Sequence, residues 1–116
     1  MLKDATRDYV VNMFRFYASL NSPSKEEIYL HRNELTRPQL LDLLAVEKAF
    51  NEFSPEMKNA VKCIYFVRPT DKLHKGEISA RVIDFATKQY LAENTVWKYL
   101  KQARINCAKC RGLNIY

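Results

Sequence analysis

Residues 2 to about 20 repeat their apolar positions at helical spacing. Leu2, Ala5, Tyr9, Val10, Met13, Phe16, Tyr17 and Leu20 share one broad face, with Lys3, Arg7, Asn12 and Arg15 largely off it and Phe14 toward its edge. Asn21-Ser22-Pro23 ends this helix. Ser24 with Glu27 fits a capping box and opens a second helix to about Glu34, polar apart from Ile28 and Leu30. Thr36, followed by Arg37 and Pro38, caps a third helix that runs to about Phe53. Leu40, Leu41, Leu43, Leu44, Val46 and Phe50 make it apolar on most sides, which places it in the middle of the domain. Ser54-Pro55-Glu56 supplies a cap, a first-turn proline and an acid at the positive end of the helix dipole. The helix it starts buries Met57, Ala60, Val61, Ile64 and Tyr65 and lasts until Pro69.

The loop from Arg68 to Gly76, with Lys72, His74 and Lys75, is exposed by composition; a solvated connector and a segment lying along a phosphate backbone are equally open readings. Beyond it, Ser79 to Arg104 has the spacing of two short helices and a tight turn. Val82, Phe85 and Ala86, with Tyr90 as an optional fourth, mark the first; Val96, Tyr99, Leu100, Ala103 and Cys107 mark the second after a break at Leu91-Ala92. Ala86 falls where the helices cross, and Leu91 plugs the turn. With Val96, Leu100 and Ala103 inward, Asn94, Trp97, Lys98, Lys101 and Arg104 go outward or to the flank. The last helix continues to about Lys109 with Gly112 just past its end, and the tail Leu113-Asn114-Ile115-Tyr116 is apolar enough to dock on the core.

These elements give an all-α protein of about six helices in a single domain, 1–116. Residues 1–53 form an N-terminal helical bundle, and residues 54–116 a helix-turn-helix part packed on it. Two glycines and four prolines leave little material for hairpins. Charge separates along the same line: residues 1–56 carry seven Lys and Arg against nine Asp and Glu, a net −2, and residues 57–116 carry twelve against four, a net +8. A basic half holding the motif is expected where one end meets a polyanion and the other meets protein. No apolar run spans a bilayer, and Lys3, Asp4, Arg7 and Asp8 stand where a signal peptide has its apolar core, so the expected location is cytoplasmic with no membrane contact.

Three cysteines make no disulfide framework. Cys107-Ala-Lys-Cys110, with Cys63 and His74, offers the ligand count for one zinc. A single CxxC on a helix is a weak metal signal, however, and burial of Cys63 and Cys107 as small apolar residues is the preferred account, with no cofactor. No Ser-His-Asp or Cys-His pairing, glycine-rich phosphate loop or dense carboxylate cluster is present, which argues against an enzyme. Trp97 reads equally as a ring against sugar and phosphate or as a lid on the core.

Val82, Phe85, Ala86, Leu91, Thr95 and Val96, with residues 57–66 as the preceding helix, resemble the helix-turn-helix of sigma-factor region 4 and the phage late-gene regulators of the RinA and ArpU type. About half of the chain is covered, by pattern more than identity. Gln89, Tyr90 and Ala92 depart from it, where an apolar residue, a glycine and a capping serine or threonine are usual. The resemblance implies a phage or prophage transcription regulator. The expectation is a sequence-specific protein for double-stranded DNA, with Asn94, Thr95, Trp97, Lys98 and Lys101 reading bases or fixing the helix in the groove and Lys75, Arg81, Lys88 and Arg104 meeting phosphates. The N-terminal helices are left for a homodimer interface or for RNA polymerase. The competing class is an interaction module that binds polymerase or another regulator without touching DNA.

Overall fold

The computed structural model describes the backbone of residues 2–113 and side chains from residue 5 onward. The expectations for the side chains of Leu2 and Lys3 and for the tail residues Asn114, Ile115 and Tyr116 therefore lie outside the described residues. The fold is all-α, in the order α1 (Leu2–Ser19), α2 (Lys25–Leu30), a 3-10 turn (Arg32–Glu34), α3 (Arg37–Glu52), α4 (Pro55–Ile64), α5 (Glu77–Gln89) and α6 (Glu93–Arg111).

Three helix starts, those of α2, α3 and α4, follow side chains that satisfy the first free amides. Ser24 Oγ accepts from Glu27 N and Thr36 Oγ1 from Gln39 N, each at 3.2 Å, and both capping boxes are closed by the return bond from Glu27 or Gln39. Ser54 Oγ does the same for Met57 N, ahead of Pro55. Helix ends repeat one device. At α1, α5 and α6 the chain turns through a left-handed residue, Asn21, Tyr90 and Gly112 respectively. The next amide then reaches back five residues: Ser22 N to Tyr17 O, Leu91 N to Ala86 O and Leu113 N to Ala108 O.

Two helices are shorter than their apolar pattern. The second stops at Leu30 instead of Glu34, and the chain tightens into the 3-10 turn, leaving Leu30 75% exposed. The fourth stops at Ile64 instead of reaching Pro69, because the freed Ile64 carbonyl is taken by Arg81 Nη1 of α5 at 2.8 Å.

The core is continuous from α1 to α6. Val10, Met13, Phe14 and Tyr17 meet Leu43, Val46, Ala49 and Phe53 of α3 and its end, Ala60, Val61 and Ile64 of α4, Val82, Phe85 and Ala86 of α5, and Val96, Leu100, Ala103 and Cys107 of α6. Phe14 lies at the centre rather than at an edge, fully buried, stacked on Tyr65 at 5.6 Å and in ring contact with Phe53 and Phe66. Burying an aromatic of this size removes roughly 150–250 Å² from water, so α1 is held from two sides. The element in the middle is α6 rather than the leucine-rich α3: it packs against α3 most extensively and also against α4, α5 and α1. Asp42 of α3 locks this arrangement, accepting Arg111 Nε of α6 at 2.7 Å and the Tyr9 hydroxyl of α1 at 2.9 Å.

Arg15 is the other departure from the pattern. It is buried, 6% exposed, with Nη2 donating to the carbonyls of Arg68 (3.0 Å) and Asp71 while Nη1 finds no partner among the described residues. Its burial pulls the guanidinium below its ordinary pKa, with Arg81 close by adding to the effect.

Candidate nucleic-acid interface

α5 and α6 are joined by three residues, Tyr90, Leu91 and Ala92. The Schellman-type ending of α5 aims Leu91 back at the core, against which it packs half-buried. The turn is thus plugged as its sequence suggests. Tyr90 is not part of the apolar stripe: it takes φ 56° and ψ 41°, and its side chain is 96% exposed.

Along α6 the buried residues Val96, Leu100, Ala103 and Cys107 define one face. At 100° per residue the opposite line runs through Asn94, Lys98 and Lys101, and it covers about 10 Å at the helical rise. All three are exposed. Thr95 and Trp97 lie on the two flanks, Thr95 half-buried and Trp97 37% exposed. Lys98 and Lys101 have no ion-pair partner among the described residues. Three of the five positions expected to meet a groove, Asn94, Lys98 and Lys101, therefore share the open side of a helix whose other side is anchored in the core, with Thr95 and Trp97 at its two edges.

The four expected phosphate contacts divide. Lys75 is exposed in the loop before α5, and Lys88 is exposed near the end of α5, 3.0 Å from Asp84 in a surface pair that contributes little. Arg81 is committed inward. Its side chain is 11% exposed, and its guanidinium holds the Ile64 carbonyl and Glu77. Arg104 is half-buried and donates Nη1 to the Tyr65 hydroxyl at 2.8 Å. That bond opposes the rise that burial imposes on the Tyr65 pKa, and the other guanidinium hydrogens of Arg104 remain for a ligand.

The loop between α4 and α5 forms an open depression of about 470 Å³ lined by Arg68, Thr70, Asp71, Lys72, His74 and Glu77. Glu77 organises it, accepting from the His74 amide at 3.2 Å and pairing with Arg81 and, at 4.0 Å, with Arg68. The His74 amide is the main cause holding the Glu77 carboxyl below its usual pKa, with the two arginines adding to it. Behind this loop sits Arg15, a residue that hydrophobic periodicity assigns to solvent. No local signal marks it, because its partners are carbonyls more than fifty residues away.

The cysteines do not gather. Cys63 is exposed, contrary to the expected burial, and its Sγ lies 3.6 Å from Asn59 Oδ1 one turn back on α4. Cys107 is buried, and desolvation pushes its thiol up to about 12, the state opposite to a metal-binding or redox thiolate. Among the described residues no group of three His, Cys, Asp or Glu side chains is placed to hold a metal. No described helix is long and apolar enough to cross a membrane.

No family model, no curated protein and no solved structure matches this chain.

Proposed function

We propose that the protein is a sequence-specific regulator of transcription that binds double-stranded DNA by laying the N-terminal half of α6 in the major groove. The observation that carries this reading is the row Asn94, Lys98 and Lys101, exposed, unpaired and opposite the buried face of α6. A cationic helical face of this length fits a groove about 12 Å wide, with Asn94 and Lys98 near the helix N-terminus where base edges are read. Thr95 and Trp97 border the same face. Lys75, Lys88 and the outward part of Arg104 supply the flanking positive charge that phosphates require. The net +8 of residues 57–116 is the electrostatic footprint that goes with it. The pattern likeness to sigma-factor region 4 and to phage late-gene regulators makes control of phage or prophage genes the corresponding role.

One recognition helix makes few base contacts, so a second copy or RNA polymerase completes the complex. Leu20, Tyr29 and Leu30, all exposed on the α1–α2 side in the acidic half, support a protein contact there. The same surface favours the alternative, a module that binds polymerase alone.

Selection of bound duplexes from random DNA, followed by titration in rising salt, tests the proposal. The expected log–log slope is about −0.9 for each phosphate neutralised. Lys98→Ala combined with Lys101→Ala abolishes binding while leaving the fold intact. Failure to enrich any duplex, together with a stable polymerase complex, rejects DNA recognition in favour of the alternative.

A further inference from the structure

Three helices of this protein end in the same turn, and they differ in the residue placed in its left-handed position. After α6 it is Gly112, and after α1 it is Asn21. Glycine has no Cβ to clash there, and asparagine tolerates the region better than most residues. After α5 it is Tyr90, at φ 56°. An aromatic side chain in this conformation carries a backbone cost.

Ser22, beside Asn21, is a small polar residue at φ 51°, and at Arg68 the cost has a return. Arg68, also at positive φ, presents its carbonyl to the buried Arg15. Tyr90 gains nothing comparable inside the protein: its ring is 96% exposed, the most exposed large hydrophobic side chain of the described residues. Leu91 already supplies the apolar contact that such a turn needs. A glycine at residue 90 would therefore serve the fold better than a tyrosine.

The ring's position indicates what it serves. It stands on the turn that leads directly into α6, four residues before Asn94 begins the outward face, and two residues after Lys88. We infer that Tyr90 is a further DNA-contacting residue of this surface, placing its ring against a deoxyribose and its hydroxyl on a neighbouring phosphate beside the groove that α6 enters. A phenol suits that place, with an apolar body for the sugar and a donor for a phosphate oxygen. This inference rests on the DNA-binding reading and adds to it a residue that the helix-turn-helix pattern treats only as a departure.

The test compares the unchanged protein with Tyr90→Gly and Tyr90→Asn on a short duplex drawn from the selected pool, measuring melting temperature, affinity and its salt dependence. Both variants relieve the left-handed strain, so melting temperatures rise by about 2–5 °C. Affinity falls about fivefold to tenfold. The salt slope stays that of the unchanged protein, because no charged group is lost. Affinity within twofold of the unchanged protein overturns the role of Tyr90 and leaves the DNA-binding reading standing. A reduced salt slope also overturns it, since the loss then comes from misplacing the lysines of α6. No binding by the unchanged protein to any duplex overturns both.

Discussion

Cys107 shows how a single side chain ties stability to solution conditions. Its thiol, on the core side of α6, is buried, and the pKa rises from 9.0 to about 12 chiefly through desolvation. The folded state therefore holds its proton where the unfolded chain releases it. The stabilisation is complete below pH 9 and is lost as pH climbs toward 12, at up to about 1.4 kcal/mol per unit. Tyr17, raised to about 12, adds the same sign of effect only above pH 10. Urea unfolding between pH 9 and 10 thus reports the two thiols that burial raises, Cys107 and Cys110, ahead of the tyrosine. Cys107→Ala should cost about 1 kcal/mol at pH 7 for the vacated volume and should flatten the decline in that window. A variant that loses stability as steeply as the parent would place the alkaline sensitivity elsewhere. Cys63, by contrast, is exposed and is the first cysteine expected to react with a thiol reagent in the native protein.

At the scale of elements, α6 begins without help. Ala92 has the extended conformation of an N-cap, φ −69° and ψ 143°, yet offers no side-chain acceptor to the first-turn amides. Ala92→Ser supplies one without moving the backbone, for a gain of about 1 kcal/mol, which a thermal melt registers as about 4 °C. No gain would mean that the Ala92 geometry cannot support the bond. Caps of this kind are what the sequence displays best: Ser24, Thr36 and Ser54 announce three helix starts through residues within four positions of each other, and the structure places all three as expected. Helix ends governed by distant partners are not displayed. Ile64 ends α4 because Arg81 of α5 takes its carbonyl, and Phe14 and Arg15 are buried because separate parts of the chain close over α1. The outward row Asn94, Lys98 and Lys101 was legible because it depends only on which face of one helix is buried. The inward commitment of Arg81 was not, because an arginine in an amphipathic helix carries the same local signature whether it meets water, a phosphate or a carbonyl.

For the whole molecule, the division of charge at about residue 56 does not coincide with a division of structure. α6 belongs by sequence to the basic half, yet most of its packing is against α3 of the acidic half, and Asp42 fastens α1, α3 and α6 together through Tyr9 and Arg111. The proposed groove-reading face is therefore held in place by the segment to which the proposal assigns no DNA contact. Two sets of substitutions separate these roles. Asp42→Ala leaves Arg111, 19% exposed, without its partner and removes the acceptor of Tyr9, a loss of about 2 kcal/mol. Unfolding should stay a single transition, because the core is continuous, and DNA affinity measured well below the melting point should change little. Lys98→Ala with Lys101→Ala should do the reverse, with stability within about 0.5 kcal/mol of the parent and DNA binding abolished. If Asp42→Ala instead splits unfolding into two steps, the halves are coupled chiefly through that one carboxylate. In that case the shared apolar contacts of α3 and α6 contribute less to holding the recognition face than their burial implies.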